Sequence, residues 1–388
     1  MSAVDINSLT SLLRSGGLSE SDAKRERGKV GKTLPSASGA TSASDAKAST
    51  VRAQSSDRVV TPPEYESFVQ FARKCDWRLD EKTLATHFKA FGCKLRPIER
   101  AANLVMEEAT KSYLIESKPV IVTDSQTEWK TRFKWTSDFF ATTYGGCEVI
   151  CNDRAPARAK DRDSKRPQRS VKMLLSDYKK YMECHVADEA KDPPLYLNGW
   201  HAFKHFPELL GDIGYPNSLY FAEDHTEMIL QEIDRAISGR KQARMDSEWV
   251  HNTDVLLNKV FLGPAGNITR LHFDAHNAHG WLAQIKGRKL FILFPPGDSK
   301  FLYPLDGEAT TQSPIDPLSP DLDSYPLFSN ATLFFAVLQE GETLLVPEGW
   351  WHYAVSLETS ITVMRNFYNV LTNVKGLVGL FANLKNKK

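Results

Sequence analysis

A mainly β fold, a sandwich or barrel with helices packed outside it, is predicted by three features of this 388-residue chain. Short strand-like runs bounded by Gly and Pro recur between residues 120 and 369. Helical periodicity is concentrated on the two flanks of that region. Between them, Trp281–Ile285 and Lys289–Phe294 form an apolar strand pair with a turn at Gly287 and a stop at Pro295-Pro296.

Taken in order, residues 1–60 contain thirteen serines and no Phe, Trp or Tyr; all forty aromatics follow, beginning with Tyr65. A segment without aromatics buries too little apolar area to offset its ordering entropy, so a disordered Ser-rich tail is expected. Within it, residues 6–14 have the pattern of a short amphipathic helix that docks a partner. The cluster Lys24–Lys32 reads as solvated tail or as a nuclear signal. The start Val4-Asp5-Ile6 carries a charge where a secretion signal would have its apolar core.

Residues 61–116 are expected to be a helical segment packed on the barrel. Tyr65-x-x-Phe-Val-x-Phe-Ala and Ile98-x-x-Ala-Ala-x-Leu-Val-x-Glu both have helical spacing. Strands are expected at Val120–Thr123, Cys147–Cys151, Leu195–Leu197, Leu256–Leu257 and Lys259–Leu262. Further strands are expected at Trp281–Ile285, Lys289–Phe294, Glu342–Val346, Trp351–Leu357 and Ile361–Asn369. Residues 221–251 are charged and helical, placed to cover the barrel mouth. Val370–Leu384 carries an apolar stripe at helical spacing, which caps the barrel or meets a second copy.

Net charge is +1, so the whole molecule is not an evident nucleic-acid or membrane binder, and no apolar run approaches the roughly 20 residues of a membrane span. The five cysteines form no Cys-x-x-Cys pair, which fits structural thiols in a reducing compartment, the cytoplasm or nucleus.

Chemistry concentrates in Thr269-Arg-Leu-His272-Phe-Asp274 and in Trp350-Trp351-His352, 80 residues after His272. Side chains alternate across a strand, so His272 and Asp274 share one face. Two imidazoles and one carboxylate, with open positions left, are the ligand set of non-haem Fe(II) oxygenases. The same set also takes Zn, which keeps a non-catalytic scaffold or metal-binding module in view.

From Lys118-Pro-Val-Ile-Val to Tyr368, these motifs resemble the JmjC branch of the cupin superfamily, the Fe(II)- and 2-oxoglutarate-dependent oxygenases. Within it they look most like the protein-hydroxylase group that includes the asparaginyl hydroxylase of hypoxia-inducible factor. The metal motif, the Gly287-x-Lys289 strand, the Leu-Phe-Pro-Pro stop and Pro347-x-x-Trp-Trp-His352 occur in order. The resemblance implies a double-stranded β-helix (cupin, jelly-roll) over residues 117–370 and a C-terminal helix over 371–388.

It also implies roles. His272, Asp274 and His352 would bind Fe(II), leaving room for O2 and the 2-oxo acid. Lys289, in a run apolar on both faces, would hold the far carboxylate of 2-oxoglutarate, aided by Thr269 and Tyr196, with Asn366 beside the metal. The implied reaction hydroxylates a side chain of a protein or peptide substrate; N-methyl-lysine demethylation and hydroxylation of RNA are the alternatives. The segment Ala275–Gly280 departs from the hydroxylase pattern, being about two residues longer, and adds His276 and His279 as contacts near the metal. The stretch 154–169 holds seven cationic and two acidic side chains, suited to an acidic protein segment or RNA phosphates, or else solvated.

Overall fold

The computed structural model describes residues 68, 70–72, 79–153, 169–185, 194–238, 247–306 and 311–383. The expected Ser-rich tail and all but the last residue of the basic stretch 154–169 lie outside these. A first helix, Glu81–Phe88, starts where Asp80 accepts the Thr83 amide at 2.8 Å. It buries Leu84 and Phe88 against the barrel.

Six strands precede the barrel proper: β1 (Lys94–Pro97), β2 (Glu99–Ala101), β3 (Val120–Val122), β4 (Glu148–Asp153), β5 (Arg169–Leu174) and β6 (Leu197–Trp200). The barrel is built from β7 (Asn258–Gly263), β8 (Ile268–His272), β9 (His279–Lys286) and β10 (Lys289–Phe294), then β11 (Thr332–Leu338), β12 (Thr343–Val346), β13 (Trp351–Ser356) and β14 (Ser360–Phe367). One sheet has the order β1-β11-β10-β13-β8, the other β2-β3-β12-β9-β14-β7-β6, and β4-β5 form a hairpin.

From β7 onward the chain crosses between the two large sheets at every connection except β10 to β11. That winding is a double-stranded β-helix. Helices flank it, and every residue of β10 and of β14 is buried; in β10 this explains a run after Lys289 that is apolar rather than alternating. Phe291, Leu293, Leu344 and Val346 fill the space between the sheets.

Three expectations need correction. Trp281–Ile285 and Lys289–Phe294 are both strands, but they do not pair: they lie in opposite sheets. Gly287 turns the chain between them at φ 68°, and a Cβ there would meet the Thr359 carbonyl at 2.3 Å. Ile98–Ala102, expected helical, includes β2, because its backbone bonds go to the edge of β3 in a parallel pair. Leu256–Leu257, expected as strand, is the turn after the helix Glu248–Val255.

The helices Thr226–Ser238, Glu248–Val255 and Val374–Asn383 share one apolar cluster with Ala278 and Tyr368. Val374, Leu377 and Val378 of the C-terminal stripe are buried there, within the chain, while Leu371 is exposed. The C-terminal helix also grips the turn after Asp274. Asn373 Nδ2 donates to the Asn277 carbonyl at 2.8 Å, and a Cβ on Gly376 would lie 1.9 Å from the His276 carbonyl oxygen.

Candidate metal centre and anion pocket

The register of β13 on β8 sets His352 directly opposite His272, with ring centroids 4.2 Å apart. β8 ends at His272, but the backbone is still extended at Asp274, so the alternation carries Asp274 to the same side. Phe273 points away and packs edge-on against Trp351. The indole of Trp350 donates to the Ser117 carbonyl and that of Trp351 to Ser299 Oγ, at 3.0 and 2.8 Å, fixing the backbone on the near side of His352.

The two imidazoles are tied alike. His272 Nδ1 bonds the Arg270 carbonyl at 2.7 Å and His352 Nδ1 the Trp350 carbonyl at 3.0 Å. A carbonyl only accepts, so each Nδ1 carries a proton, and Nε2 is left as the atom of each ring that can bind a metal. Both Nε2 atoms face Asp274 Oδ1, at 3.7 and 4.0 Å. One ligand atom from each of the three residues lies within 4.8 Å of the others. Among the described residues this is the one His/Cys/Asp/Glu cluster so placed.

The second carboxylate oxygen is held separately. Asn366 Nδ2 donates to Asp274 Oδ2 at 2.9 Å, and Asn366 Oδ1 accepts from Lys259 Nζ at 3.2 Å. Gly280, opposite Asn366 in the β9–β14 register, leaves room for that contact: a Cβ would stand 3.2 Å from Asp274 Oδ2.

Lys289 enters the same cavity from β10. It is 4% exposed, and its ammonium donates to the Tyr196 hydroxyl at 3.1 Å beside the rings of Tyr196 and Phe261. Among the described residues no carboxylate pairs with it. Burial pushes Lys289 down to about 7. The cavity measures about 280 Å³; Thr269, Leu282, Phe291 and Met364 wall it, with the metal-type cluster and Lys289 also lining it. His272, Asp274, His352, Lys289, Thr269 and Tyr196 therefore meet here, and Asn366 reaches the site through Asp274.

His276 and His279 do otherwise than expected. The strand does not continue past Asp274. Residues 275–277 form a turn in which His276 and Asn277 adopt φ of 60° and 52°, and His276 is exposed. His279 is buried behind the site. Its Nδ1 accepts the Glu348 amide at 2.9 Å, so Nε2 carries the proton and donates to Thr372 Oγ1 at 2.7 Å. Both nitrogens are used within the chain, and burial pushes it down to about 3.

Two features escaped the sequence reading. Lys259 is an ordinary strand lysine until β14 folds beside β7. Arg365, on the outer face of β14, is buried between Asp224 at 2.7 Å and Asp254 at 2.6 Å; burial alone would lower its proton affinity, but the two carboxylates outweigh this and raise it. A single Arg beside Asn366 gave no signal of partners more than a hundred residues away.

A barrel of this winding, with a two-histidine, one-carboxylate cluster between its sheets, defines a cupin-type protein. The chain belongs to the cupin-like domain family, which matches residues 106–373. It is 27% identical to "2-oxoglutarate and iron-dependent oxygenase JMJD4" of Danio rerio, over 67% of this chain and 57% of that protein. It is 28% identical to "Lysine-specific demethylase JMJ21" of Arabidopsis thaliana (70% of this chain, 25% of that one). It is 24% identical to "Arginine-specific demethylase JMJ20" of the same plant (66% and 54%). The chain thus spans between a quarter and about three fifths of these relatives' lengths. Among the described residues no helix is long and apolar enough to cross a membrane.

Proposed function

We propose that this chain is an Fe(II)- and 2-oxoglutarate-dependent oxygenase that hydroxylates a side chain of a protein substrate. One observation carries the reading. A cavity of about 280 Å³ holds a three-ligand metal-type cluster and a buried lysine for which no described carboxylate serves as partner. The donor set fits Fe(II): two imidazoles turn Nε2 inward and one carboxylate supplies charge, with coordination positions left over. A buried ammonium without a counter-ion costs stability unless something anionic arrives to pair with it. A dicarboxylate that chelates the metal at one end meets that need at the other. A scaffold that only bound Zn would gain nothing from Lys289, which weighs against the non-catalytic reading.

When bound, Fe(II) with 2-oxoglutarate supplies the oxidising chemistry: O2 is consumed, 2-oxoglutarate becomes succinate and CO2, and one oxygen atom enters a substrate C–H bond. The chain's own residues position and exclude. Nδ1 bonds to backbone carbonyls fix the orientation of both imidazoles, with Nε2 toward the metal position, before anything binds. Lys289 has two ammonium hydrogens beyond the one given to Tyr196, suited to the two oxygens of a carboxylate. The proton stays on Lys289 once that carboxylate is beside it. Leu282, Phe291 and Met364 keep the intervening space apolar, where charge-assisted bonds are strongest.

The relatives named as lysine- and arginine-specific demethylases favour a second reading, removal of an N-methyl group through the same C–H hydroxylation. An RNA substrate rests on the basic stretch 154–169 alone. The described cysteines are free thiols, which suits the cytoplasm or nucleus. The test is mass spectrometry of cell extract treated with the protein, Fe(II), ascorbate and 2-oxoglutarate. Gain of one oxygen on a protein side chain supports hydroxylation, and loss of a methylene with formaldehyde release supports demethylation. No 2-oxoglutarate-dependent mass change on any protein would contradict both.

A further inference from the structure

We propose that Lys259 is a positioning residue for the metal-binding carboxylate, acting through Asn366; this rests on reading His272, Asp274 and His352 as a metal centre. An ammonium has only donors, so the oxygen of the Asn366 amide must face Lys259 Nζ, as it does at 3.2 Å. The amide nitrogen is then forced toward Asp274, where it donates to Oδ2 at 2.9 Å. Oδ1 is left as the oxygen that faces both Nε2 atoms. Lys259 therefore holds the amide in the orientation that the Asp274 carboxylate, an acceptor only, also requires. That in turn keeps Asp274 to a single inward oxygen and preserves the open positions.

The fold enforces the relay. β14 pairs with β7 in a register that sets Met364 against Lys259, and the Asn366 backbone N–H donates to the Leu257 carbonyl at 3.1 Å. Lys259 and Phe261 alternate to the cavity side, while Val260 and Leu262 enter the core behind the sheet. The Lys259 stem passes 3.7 Å from where a Cβ on Gly199 would stand, so β6 borders its course.

The test is Co(II) titration of the full-length, chelator-stripped protein, followed by its visible ligand-field bands, with no turnover required. Lys259→Met removes the hold on the far end of the amide and is expected to weaken Co(II) binding roughly 10-fold, with altered bands. Lys259→Arg, which keeps a charged donor, should stay near wild type. Lys259→Glu accepts from the amide nitrogen and turns the oxygen onto Asp274, so its loss should be larger, on the order of 100-fold. Wild-type affinity and bands in Lys259→Met, or a Lys259→Glu loss no greater than that of Lys259→Met, would overturn the relay. Circular dichroism checks folding; if Lys259→Met does not fold, Lys259→Gln takes its place with the same criteria. His272→Ala separates the two layers. Co(II) lost there but unchanged in Lys259→Met refutes only the relay, whereas Co(II) retained in His272→Ala refutes the metal centre itself.

Discussion

Two buried cations stand on opposite sheets of this barrel and are treated in opposite ways. Arg365, on the outside of β14, is wedged between the carboxylates of Asp224 and Asp254, and its charge is held firmly. Lys289, on the inside of β10, has a tyrosine hydroxyl and two aromatic rings for company, and burial drags it down to about 7. The paired cation belongs to the architecture: it joins the barrel to the segment before Thr226–Ser238 and to the helix Glu248–Val255. The other has a partner still to come. A buried cation with no described carboxylate beside it marks the ligand end of the cavity.

The comparison can be broken first at Arg365. Arg365→Met leaves Asp254, 1% exposed, and Asp224 without their counter-charge, and should cost about 3–5 kcal/mol in urea unfolding. A loss under about 1 kcal/mol would place this network with ordinary surface ion pairs.

Lys289→Met should do the reverse. Without ligand the variant is expected to be more stable than the wild type, by an amount on the order of 1 kcal/mol, because a lone buried charge is gone. Its affinity for 2-oxoglutarate, measured by calorimetry on metal-loaded protein, should fall about 100-fold. A variant that is both less stable and still tight for 2-oxoglutarate would mean that Lys289 is a structural residue.

The same lysine sets a pH signature. Its proton leaves near pH 7 in the folded chain and near 10.5 in the unfolded one. Between those values the unfolded state holds a proton that the folded state lacks, so ligand-free stability rises with pH from 7 toward 10.5 and is flat below 7. A bound carboxylate needs the proton back, so 2-oxoglutarate affinity should weaken with each pH step above about 7, at most tenfold per unit, with proton uptake on binding. Calorimetry at pH 8 in buffers of different ionisation enthalpy checks this, and Lys289→Met should show neither effect.

A neutral buried pair gives the scale against which the two cations are judged. Thr372→Val removes the acceptor of His279 Nε2 behind the site and should cost about 1–2 kcal/mol in thermal unfolding, with 2-oxoglutarate affinity nearly unchanged.

Much of the inner barrel was readable from the sequence because its strands carry punctuation. The Gly287 turn and Pro295-Pro296 stop delimit β10, and Pro347-Glu-Gly precedes β13. β11 was missed: Thr-Leu-Phe-Phe-Ala-Val-Leu is nearly all apolar, and a run without alternation has no period to distinguish strand from buried helix. β1 and β2 are too short and too exposed to show periodicity. Their strand character comes from parallel pairing with β11 and β3, which local spacing does not encode. The ligand trio was legible because alternation fixes the parity of His272 and Asp274. The hold on Asp274 was not. Asn366 meets it across 92 positions and Lys259 meets Asn366 across 107, contacts that exist only after β7, β9 and β14 lie side by side. The turn at 275–277 defeated the alternation rule because two consecutive residues at positive φ end the strand, held there by Asn373 and the close approach of Gly376.

The most direct measurement is an anaerobic titration of Fe(II) and 2-oxoglutarate into the wild-type protein, His272→Ala and Lys289→Met, read by the visible charge-transfer band of the chelate. The expected result is a weak band in the wild type, none in His272→Ala, and in Lys289→Met a band that needs about 100-fold more 2-oxoglutarate. A band that survives intact in His272→Ala would contradict the proposed centre.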